Sequence, residues 1–385
     1  MFHPELKLVP MAVAGLPEQR HGIVLAKNEL ARSFGVKTAE TVNSALRKCP
    51  QLVLVRPHRK IYLDYSERVN QIYLQYTDQV EPFGIDESWL DVTGSVSLFG
   101  NGVSIADKIR NQVRQELGIS VSVGVSFNKV FAKLGSDYKK PDATTLISRG
   151  KMQQIVWPLP VDRLLGVGRN TFSQLSILGI HTIGQLATAD PSILQKYLGK
   201  PGKQLFSYAR GDDDSPVRKW DEPENVKSVG NGQTFDHDLI SETEIRARLL
   251  ELADIVAFRL RKCNRKCRTL HLTVKSPSFS VIQRQIPLPF PTYFAADLAE
   301  CALRLLRKHW AKDVPIRALT LTASSLIAPE DIPVQFRLDT DPEDQLEVRK
   351  ERMAAALDGL WEKYGRKIIS YGSLMQNELN ASENQ

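Results

Sequence analysis

The spacing of apolar and polar positions along the chain predicts a mixture of helices and strands. Between residues 58 and 76, apolar and aromatic side chains recur every three or four positions, which indicates an amphipathic helix. A second such stretch ends at Gly118 and places on one face Ile105, Ile109, Val113 and Leu117. Residues 120–126 alternate valines with small residues, as in a strand, and a further helix is predicted to end near Lys140.

The order of these elements predicts an α+β unit over residues 59–156, a split sheet with helices on one face. Residues 1–58 read as a smaller α+β unit. Its short strands are expected at residues 10–14, 22–26 and 52–55, with helices at residues 28–34 and 41–48.

Residues 157–222 become rich in proline and then helical, and they contain the turn Gly166-Val167-Gly168 between leucine-rich flanks. This has the form of a helix-hairpin-helix, in which Gly-x-Gly lets backbone N–H groups approach a phosphate between two short helices. Gly-x-Gly alone also fits an ordinary turn. The flanking leucines and the later Gly179-Ile180 pair favour contact with a phosphodiester.

After a charged linker at residues 210–225, the pattern predicts β-α-β-β-α-β over residues 226–327 and a tail at residues 328–385 with one helix. Basic residues cluster where the first helix of this unit ends, and they include Arg265, Lys266 and Arg268. Such a run is usually a solvated face, but it also suits contact with a duplex backbone.

Composition narrows the class of protein. The 385 residues, 42% hydrophobic and 25% charged, suffice for two to four globular domains. A net charge of +7 is compatible with a polyanionic partner. Four cysteines without a paired motif favour a reducing setting. Because no apolar run could span a bilayer and the first residues do not resemble a signal peptide, we expect a cytoplasmic protein without a membrane partner.

The strongest candidate for chemistry is an adjacent pair of carboxylates, Asp86 and Glu87, between two strand-like runs. Neighbouring side chains on a strand point to opposite faces, so both can reach one ion only where the backbone bends. Pro82 and Gly84 make such a bend plausible. Carboxylate oxygens are hard ligands that suit Mg²⁺, although spacing alone fits an exposed acidic turn better.

The residues around the pair, Ile85-Asp86-Glu87-Ser88-Trp89-Leu90-Asp91-Val92, resemble the metal-binding signature of Y-family (translesion) DNA polymerases of the bacterial polymerase IV type. The resemblance runs from His3 to about Ile327. It implies an α+β, multidomain right-hand polymerase: fingers at 1–58, a palm at 59–156, a helical thumb at 157–222 and a little finger at 226–327.

The same resemblance implies the chemistry and its residues. The expected reaction adds dNTPs to the 3′ end of a primer on template DNA, with two Mg²⁺ ions held at Asp86 and Glu87, and Glu87 nearest the primer hydroxyl. Arg32 and Lys140 match the family's triphosphate contacts. Gly166, Val167, Gly168, Arg265, Lys266 and Arg268 are expected at the DNA.

Three departures from the family pattern accompany this resemblance. Glu29 stands where the family usually has Tyr, and Ala26 replaces a hydroxyl residue that often donates to a phosphate. The family also opens with a strand that bears a further metal-binding aspartate, and this sequence starts at Met1-Phe2-His3-Pro4, after that strand. We therefore expect too few metal ligands and impaired activity in the chain as given.

The sequence leaves two alternatives and one partner open. A non-catalytic DNA-binding protein of the same fold is the main alternative, and a nuclease with a helix-hairpin-helix is a weaker one. A peptide near Gln335 lies where the family often binds the sliding clamp, but Asp339 stands where a second large apolar residue is usual. A monomer is expected.

Overall fold

The computed structural model describes residues 4–15, 22–222, 226–332, 342–365 and 368–369. Contacts divide the chain into two compact units, one of residues 58–223 and one that combines residues 1–57 with residues 224–385. Within the described residues, no helix is both long and apolar enough to cross a lipid bilayer.

The N-terminal segment folds as a three-stranded sheet with two short helices. After a 3-10 helix at Pro4–Leu8 come β1 (Met11–Ala14), β2 (Val24–Lys27), α1 (Glu29–Ser33), α2 (Val42–Lys48) and β3 (Val53–Val55). Strand β1 lies in the middle, antiparallel to β2 and parallel to β3. The side chain of Asn28 caps α1, and that of Thr41 caps α2. The predicted strands and helices of this segment are confirmed, with small shifts at their ends.

The next segment contains two separate pairs of strands. Its elements are α3 (Arg59–Leu74), β4 (Val80–Pro82), β5 (Ser88–Leu90), α4 (Val96–Phe99), α5 (Gly102–Leu117), β6 (Val123–Ser126), α6 (Lys129–Tyr138) and β7 (Thr144–Ile147). Strands β4 and β5 form an antiparallel hairpin, whereas β6 and β7 pair in parallel. The predicted order is confirmed, and β7 is a further strand that the sequence pattern did not reveal.

Strand β6 and helix α6 approach closely because glycines lie at their contact. A Cβ atom on Gly124 would overlap the carbonyl oxygen of Ala132, and a Cβ on Gly135 would lie 3.0 Å from the Cα of Gly124. This close packing, together with the buried Val130, Phe131 and Leu134, fixes α6 against the strand. Helix α6 carries the lysine that contacts the candidate catalytic pair.

Residues 152–211 consist mainly of helices. They form α7 (Met152–Ile155), α8 (Arg169–Ile177), α9 (Ile183–Thr188), α10 (Pro191–Leu198) and α11 (Lys200–Arg210). In the predicted helix-hairpin-helix, the helix before Gly166-Val167-Gly168 is a 3-10 helix of three residues, Val161–Arg163, and the one after it is α8. Because prolines fix φ and lack an N–H group, Pro158 and Pro160 leave too little chain before Gly166 for an α-helix.

The last large segment confirms the predicted β-α-β-β-α-β order. It consists of β8 (Ser228–Leu239), α12 (Glu242–Lys262), β9 (Lys266–Lys275), β10 (Val281–Thr292), α13 (Ala295–His309) and β11 (Ile316–Ile327). The four strands pair antiparallel in the order β10-β9-β11-β8. Apolar residues on one face of the sheet, such as Leu270, Leu272 and Leu321, pack against both helices.

A final helix, α14 (Pro342–Tyr364), confirms the helix predicted in the tail. It packs on the end of α12 through a bidentate pair in which Asp358 accepts from Arg261 with two N···O distances of 2.7 Å. Buried Trp361 contacts Phe258 edge to face. The candidate clamp peptide near Gln335 lies outside the described residues.

Candidate active site and nucleic-acid interface

Asp86 and Glu87 lie together in the turn of the β4–β5 hairpin. The hairpin closes with a hydrogen bond from the Phe83 amide to the Glu87 carbonyl at 2.8 Å, and Gly84 adopts a φ of +91° within the turn. Such a positive φ is readily available only to glycine, so the bend that the sequence indicated is present. Asp86 is exposed and Glu87 is partly buried.

The hairpin is fixed to the helices beside it. The Ser88 hydroxyl donates to the buried Asn70 of α3 at 2.7 Å, and the Trp89 indole donates to the carbonyl of Lys129 at 3.0 Å. Phe83 packs on Trp89 with a centroid distance of 4.4 Å. Contacts to both α3 and α6 therefore define where the two carboxylates stand.

A chain of alternating charges leads from Glu87 to Lys140. Lys133 of α6 lies 3.0 Å from Glu87 and 2.5 Å from Asp137, and Lys140 lies 2.7 Å from Asp137. The sequence singled out Glu87 and Lys140 but missed Lys133 and Asp137. Helical spacing could have linked Lys133 to Asp137, four residues later, but only the fold brings Lys133 to the hairpin.

This network shifts the pKa values of its central members. Partial burial lowers the pKa of Lys133, but hydrogen bonds to Asp137 and Glu87 outweigh that effect, so the pKa lies above its ordinary value. Burial raises the pKa of Asp137, and hydrogen bonds from Lys133 and Lys140 outweigh it, so that pKa is lowered. Both groups are therefore held in their charged forms at neutral pH.

The donor set at the hairpin suits a hard divalent cation. Two adjacent carboxylates provide oxygen ligands, and in this structure one oxygen of Glu87 is paired with the Lys133 ammonium at 3.0 Å. Within the described ranges, no group of three or more histidine, cysteine, aspartate or glutamate side chains is placed to hold a metal ion. Among the described residues, Asp86 and Glu87 therefore stand as two adjacent carboxylates without a third such side chain placed with them.

Arg32 lies in the N-terminal segment, on the last turn of α1. Its guanidinium is exposed and lies 3.1 Å from a carboxylate oxygen of Glu29, one turn earlier on the same helix. Glu29, the unexpected acidic residue of the sequence, therefore pairs with Arg32 in this structure. Surface pairs of this kind are weak, so an anion of higher charge could replace the carboxylate.

The hairpin Gly166-Val167-Gly168 leads directly into α8. Gly166 has a φ of +91°, and Gly168 is the extended N-cap residue of α8, without a side-chain cap. Both glycines are exposed, as is Arg169 in the first helical turn. An exposed helix N-terminus beside a cation favours a phosphate, and the contact with a phosphodiester predicted from sequence stays a prediction.

The three basic residues predicted at the DNA occupy different environments. Arg268 is exposed and Arg265 is partly buried. Lys266 is buried, with its ammonium 3.7 Å from Glu351 of α14 and 4.9 Å from the ring centroid of Tyr293. With α14 in place, Lys266 is therefore not an exposed cation.

The sheet has a polar face that sequence reasoning did not single out. On β9, the buried Leu270, Leu272 and Val274 alternate with the partly exposed Thr269, His271, Thr273 and Lys275. The same polar face continues across the other three strands. One row in register consists of Gln283, Thr273, Thr320 and Gly232, and the next row consists of Gln285, His271, Thr322 and Gly230. The alternation of period two was the available signal.

Two glycines of this face give room to hydroxyl side chains. A Cβ atom on Gly232 would overlap the Thr320 hydroxyl, and one on Gly230 would lie 2.7 Å from the Thr322 hydroxyl. Threonine hydroxyls on a flat sheet can both donate and accept hydrogen bonds. The face therefore offers many polar contacts and few charges.

Comparisons with known proteins cover most of the chain. The family model described as "impB/mucB/samB family" matches residues 1–137, and that of the family's C-terminal domain matches residues 226–338. Residues 162–213 match the thumb domain described for DNA polymerase-iota.

Relatives are similar over nearly the whole length. DNA polymerase IV of Acetivibrio thermocellus is 42% identical over 377 residues, covering 98% of this chain and 94% of that protein. DNA polymerase IV 1 of Bacillus subtilis is 35% identical over 380 residues, covering 98% and 90%. A solved structure of a Y-family DNA polymerase chimera has a TM-score of 0.75 at 24% identity, over 85% of this chain and 94% of that chain.

Proposed function

The chain belongs to the Y-family DNA polymerase IV (impB/mucB/samB) family, and from this premise we propose which of its residues carry out DNA synthesis. The reaction is the template-directed addition of dNTPs to a primer 3′ end, of the translesion and DNA-repair type. The observation that carries the assignment of residues is the connected network Glu87–Lys133–Asp137–Lys140. It links the candidate metal site to the candidate triphosphate contact.

Asp86 and Glu87 would hold the divalent cations on which this family depends, and their hard oxygens favour Mg²⁺. When bound, two such ions neutralise charge on the attacking and leaving oxygens of phosphoryl transfer. Lys133 balances the charge of Glu87 and orients its carboxylate. Lys140, now on Asp137, would donate to the triphosphate, and the resemblance assigns Arg32 to the triphosphate as well.

DNA contacts are expected at three places. The turn Gly166-Val167-Gly168, in which the Val167 amide donates to the Leu164 carbonyl, leads into the exposed N-terminus of α8, and that terminus suits a backbone phosphate. In the little finger, the polar sheet face suits a groove and its flanking phosphates, and exposed Arg268 adds a cation. These contacts would hold the primer and template without reading sequence.

The finer partners are proposals that follow from this function. A polymerase that acts on a bacterial chromosome works in the cytoplasm and as a monomer on one primer end. Clamp binding near Gln335 stays a prediction, because its peptide lies outside the described residues.

Primer extension tests the proposed function directly. We expect the chain, given a primer–template duplex, Mg²⁺ and a single dNTP, to add the nucleotide complementary to the template and to require the metal. Binding of DNA without incorporation under any divalent metal would instead support the non-catalytic alternative. Shortening of the primer in the absence of dNTPs would indicate a nuclease.

A further inference from the structure

The turn between β9 and β10 holds one exposed aromatic residue in a strained backbone conformation. Phe279 has a φ of +67°, a region that bulky side chains rarely adopt, and its side chain is 60% exposed. A phenylalanine there contributes nothing to the core cluster of this segment. Strain and exposure together are costs, so packing does not explain the residue.

The surrounding turn holds Phe279 in this conformation. The Phe279 amide donates to the Ser276 carbonyl at 3.0 Å, and the Ser276 amide donates to the Ser280 carbonyl at 2.9 Å. The buried Ser276 hydroxyl also accepts from the Ser280 amide at 3.1 Å and lies 2.8 Å from that of Ser278. These hydrogen bonds hold the backbone of the turn in its conformation and thereby fix the direction in which the Phe279 side chain leaves it.

Two cations lie over the Phe279 ring. The Lys275 ammonium is 4.4 Å from the ring centroid, and the Arg317 guanidinium carbon is 4.9 Å from it. The two residues come from neighbouring strands, since Lys275 pairs with Ala318 in the ladder of β9 and β11. Cation–π attraction thus offsets the mutual repulsion of two like charges at one point.

The position of these cations suits an anion. Lys275 ends the row of polar residues on the open sheet face, next to Thr273 in the alternation of β9. Within the described part of the chain, neither Lys275 nor Arg317 forms an ion pair with a carboxylate. Two cations beside one aromatic ring, at the edge of a polar face, provide the positive charge that attracts a DNA phosphate.

We propose that Phe279 is a positioning residue that holds Lys275 and Arg317 as a binding site for a phosphate of the DNA backbone. The proposal rests on the proposed function, because it takes DNA as the ligand of this face. The cations make the contact, and the ring and the strained turn keep both side chains extended toward one point. This organisation lowers the side-chain entropy that binding would otherwise cost.

The test uses the full chain and a fluorescent primer–template duplex, with affinity measured by anisotropy at several KCl concentrations. We expect Phe279→Leu, which keeps an apolar side chain but removes the ring electrons, to weaken binding roughly three- to tenfold. Phe279→Tyr keeps the ring and should bind as the unsubstituted chain does. Replacing both Lys275 and Arg317 by Met should reduce the slope of log K against log salt by about 1 to 2.

Two further variants separate this role from a structural one. Phe279→Leu should have no further effect in the Lys275→Met/Arg317→Met background, since the ring then has no cations to hold. Phe279→Gly relieves the positive φ, so we expect thermal stability to stay equal or rise while DNA affinity falls. Lys308→Met, an exposed cation on the last turn of α13, serves as the control for loss of one charge.

The outcomes separate a chain that does not bind DNA from one that binds it without help from Phe279. If the unsubstituted chain does not bind the duplex, the proposed function fails. If it binds, but Phe279→Leu and the double Met variant keep its affinity and salt slope, this inference alone is overturned. A Phe279→Gly variant that loses stability and keeps DNA affinity would also overturn it, because the ring would then serve the fold.

Discussion

At the scale of single residues, the candidate site depends on charges that compensate one another. Glu87 and Asp137 share Lys133, and Asp137 in turn holds Lys140, so no carboxylate or ammonium of this row is isolated. Such a row lets a cation or a triphosphate replace one partner while the others stay charged. Lys140 is about half exposed and so can leave Asp137 at small cost.

Replacing Lys140 by Ala should therefore weaken nucleotide binding. Loss of one charge-assisted hydrogen bond to a phosphate is worth roughly 1.5 kcal/mol, so we expect KM for the dNTP to rise about tenfold, with a smaller change in kcat. Steady-state single-nucleotide incorporation measures both constants. Lys139→Ala, which removes the adjacent charge, is the matched control, and equal effects of the two substitutions would refute a specific role for Lys140.

Glu40 gives the N-terminal segment a distinct pH dependence. Hydrogen bonds from Lys48 and from the Lys37 amide lower the pKa of Glu40 to about 2 from an ordinary 4.5. A lowered pKa means that the ionised group stabilises the fold above pH 4.5, and that this stabilisation is lost as the pH falls toward 2.

We expect amide hydrogen exchange in α2, corrected for its intrinsic pH dependence, to accelerate over this acidic range. Glu40→Gln should already exchange faster at neutral pH and should lose most of the pH dependence. Amides of α5, in the other unit, are the internal reference. If exchange in α2 depended on pH identically in the unsubstituted chain and in Glu40→Gln, the stabilising role of the ionised Glu40 would be contradicted.

At the scale of elements, the position of α6 decides whether Lys133 reaches the hairpin. Gly124 and Gly135 allow strand and helix to touch, and Trp89 donates to the Lys129 carbonyl at the start of the helix. The hairpin and α6 are therefore placed by one set of contacts. A change at this contact should disturb the site without altering any of its charged residues.

Gly124→Ala tests this dependence. The added Cβ would overlap the Ala132 carbonyl, so α6 must move, at a cost of about 1–3 kcal/mol in the free energy of unfolding. We expect a lower melting temperature and a fall in incorporation rate larger than the loss of folded protein explains. Gly150→Ala, where nothing lies within 4 Å of the new atom, should be close to neutral. A fully active Gly124→Ala variant would show that α6 does not position the site.

Sequence patterns predicted elements well where one face of an element carries its core residues. The β-α-β-β-α-β order of residues 226–327 was predicted because the buried residues of α12 recur with helical spacing and the strands of the same segment alternate. Strand β7 was missed because its four residues are flanked by a helix and by polar turns. The Lys133–Glu87 pair could not be predicted, because 46 positions of sequence separate the two side chains and only tertiary packing joins them. The alternation on β9 was visible in the sequence, but alternation alone does not show which face of the sheet the helices leave uncovered.

At the scale of the whole molecule, basic groups serve two different purposes in the little finger. Arg261, Lys262 and Lys266 face acidic residues of α14, so these cations stabilise the attachment of the final helix. Lys275 and Arg317 instead lie over the Phe279 ring at the edge of the polar sheet face. The basic cluster at the end of α12 therefore offers DNA fewer unpaired cations than its number of lysines and arginines suggests.

The central claim is that Asp86 and Glu87 hold the metal that DNA synthesis needs, and one measurement tests it most directly. Single-nucleotide incorporation is compared between the unsubstituted chain and Glu87→Gln across a Mg²⁺ titration, with Glu67→Gln on α3 as the control. We predict Mg²⁺-dependent incorporation that Glu87→Gln lowers by at least about a hundredfold, as expected when a ligand for transition-state charge is lost, while Glu67→Gln has no effect. Equal incorporation and equal Mg²⁺ dependence in Glu87→Gln and the unsubstituted chain would contradict the claim.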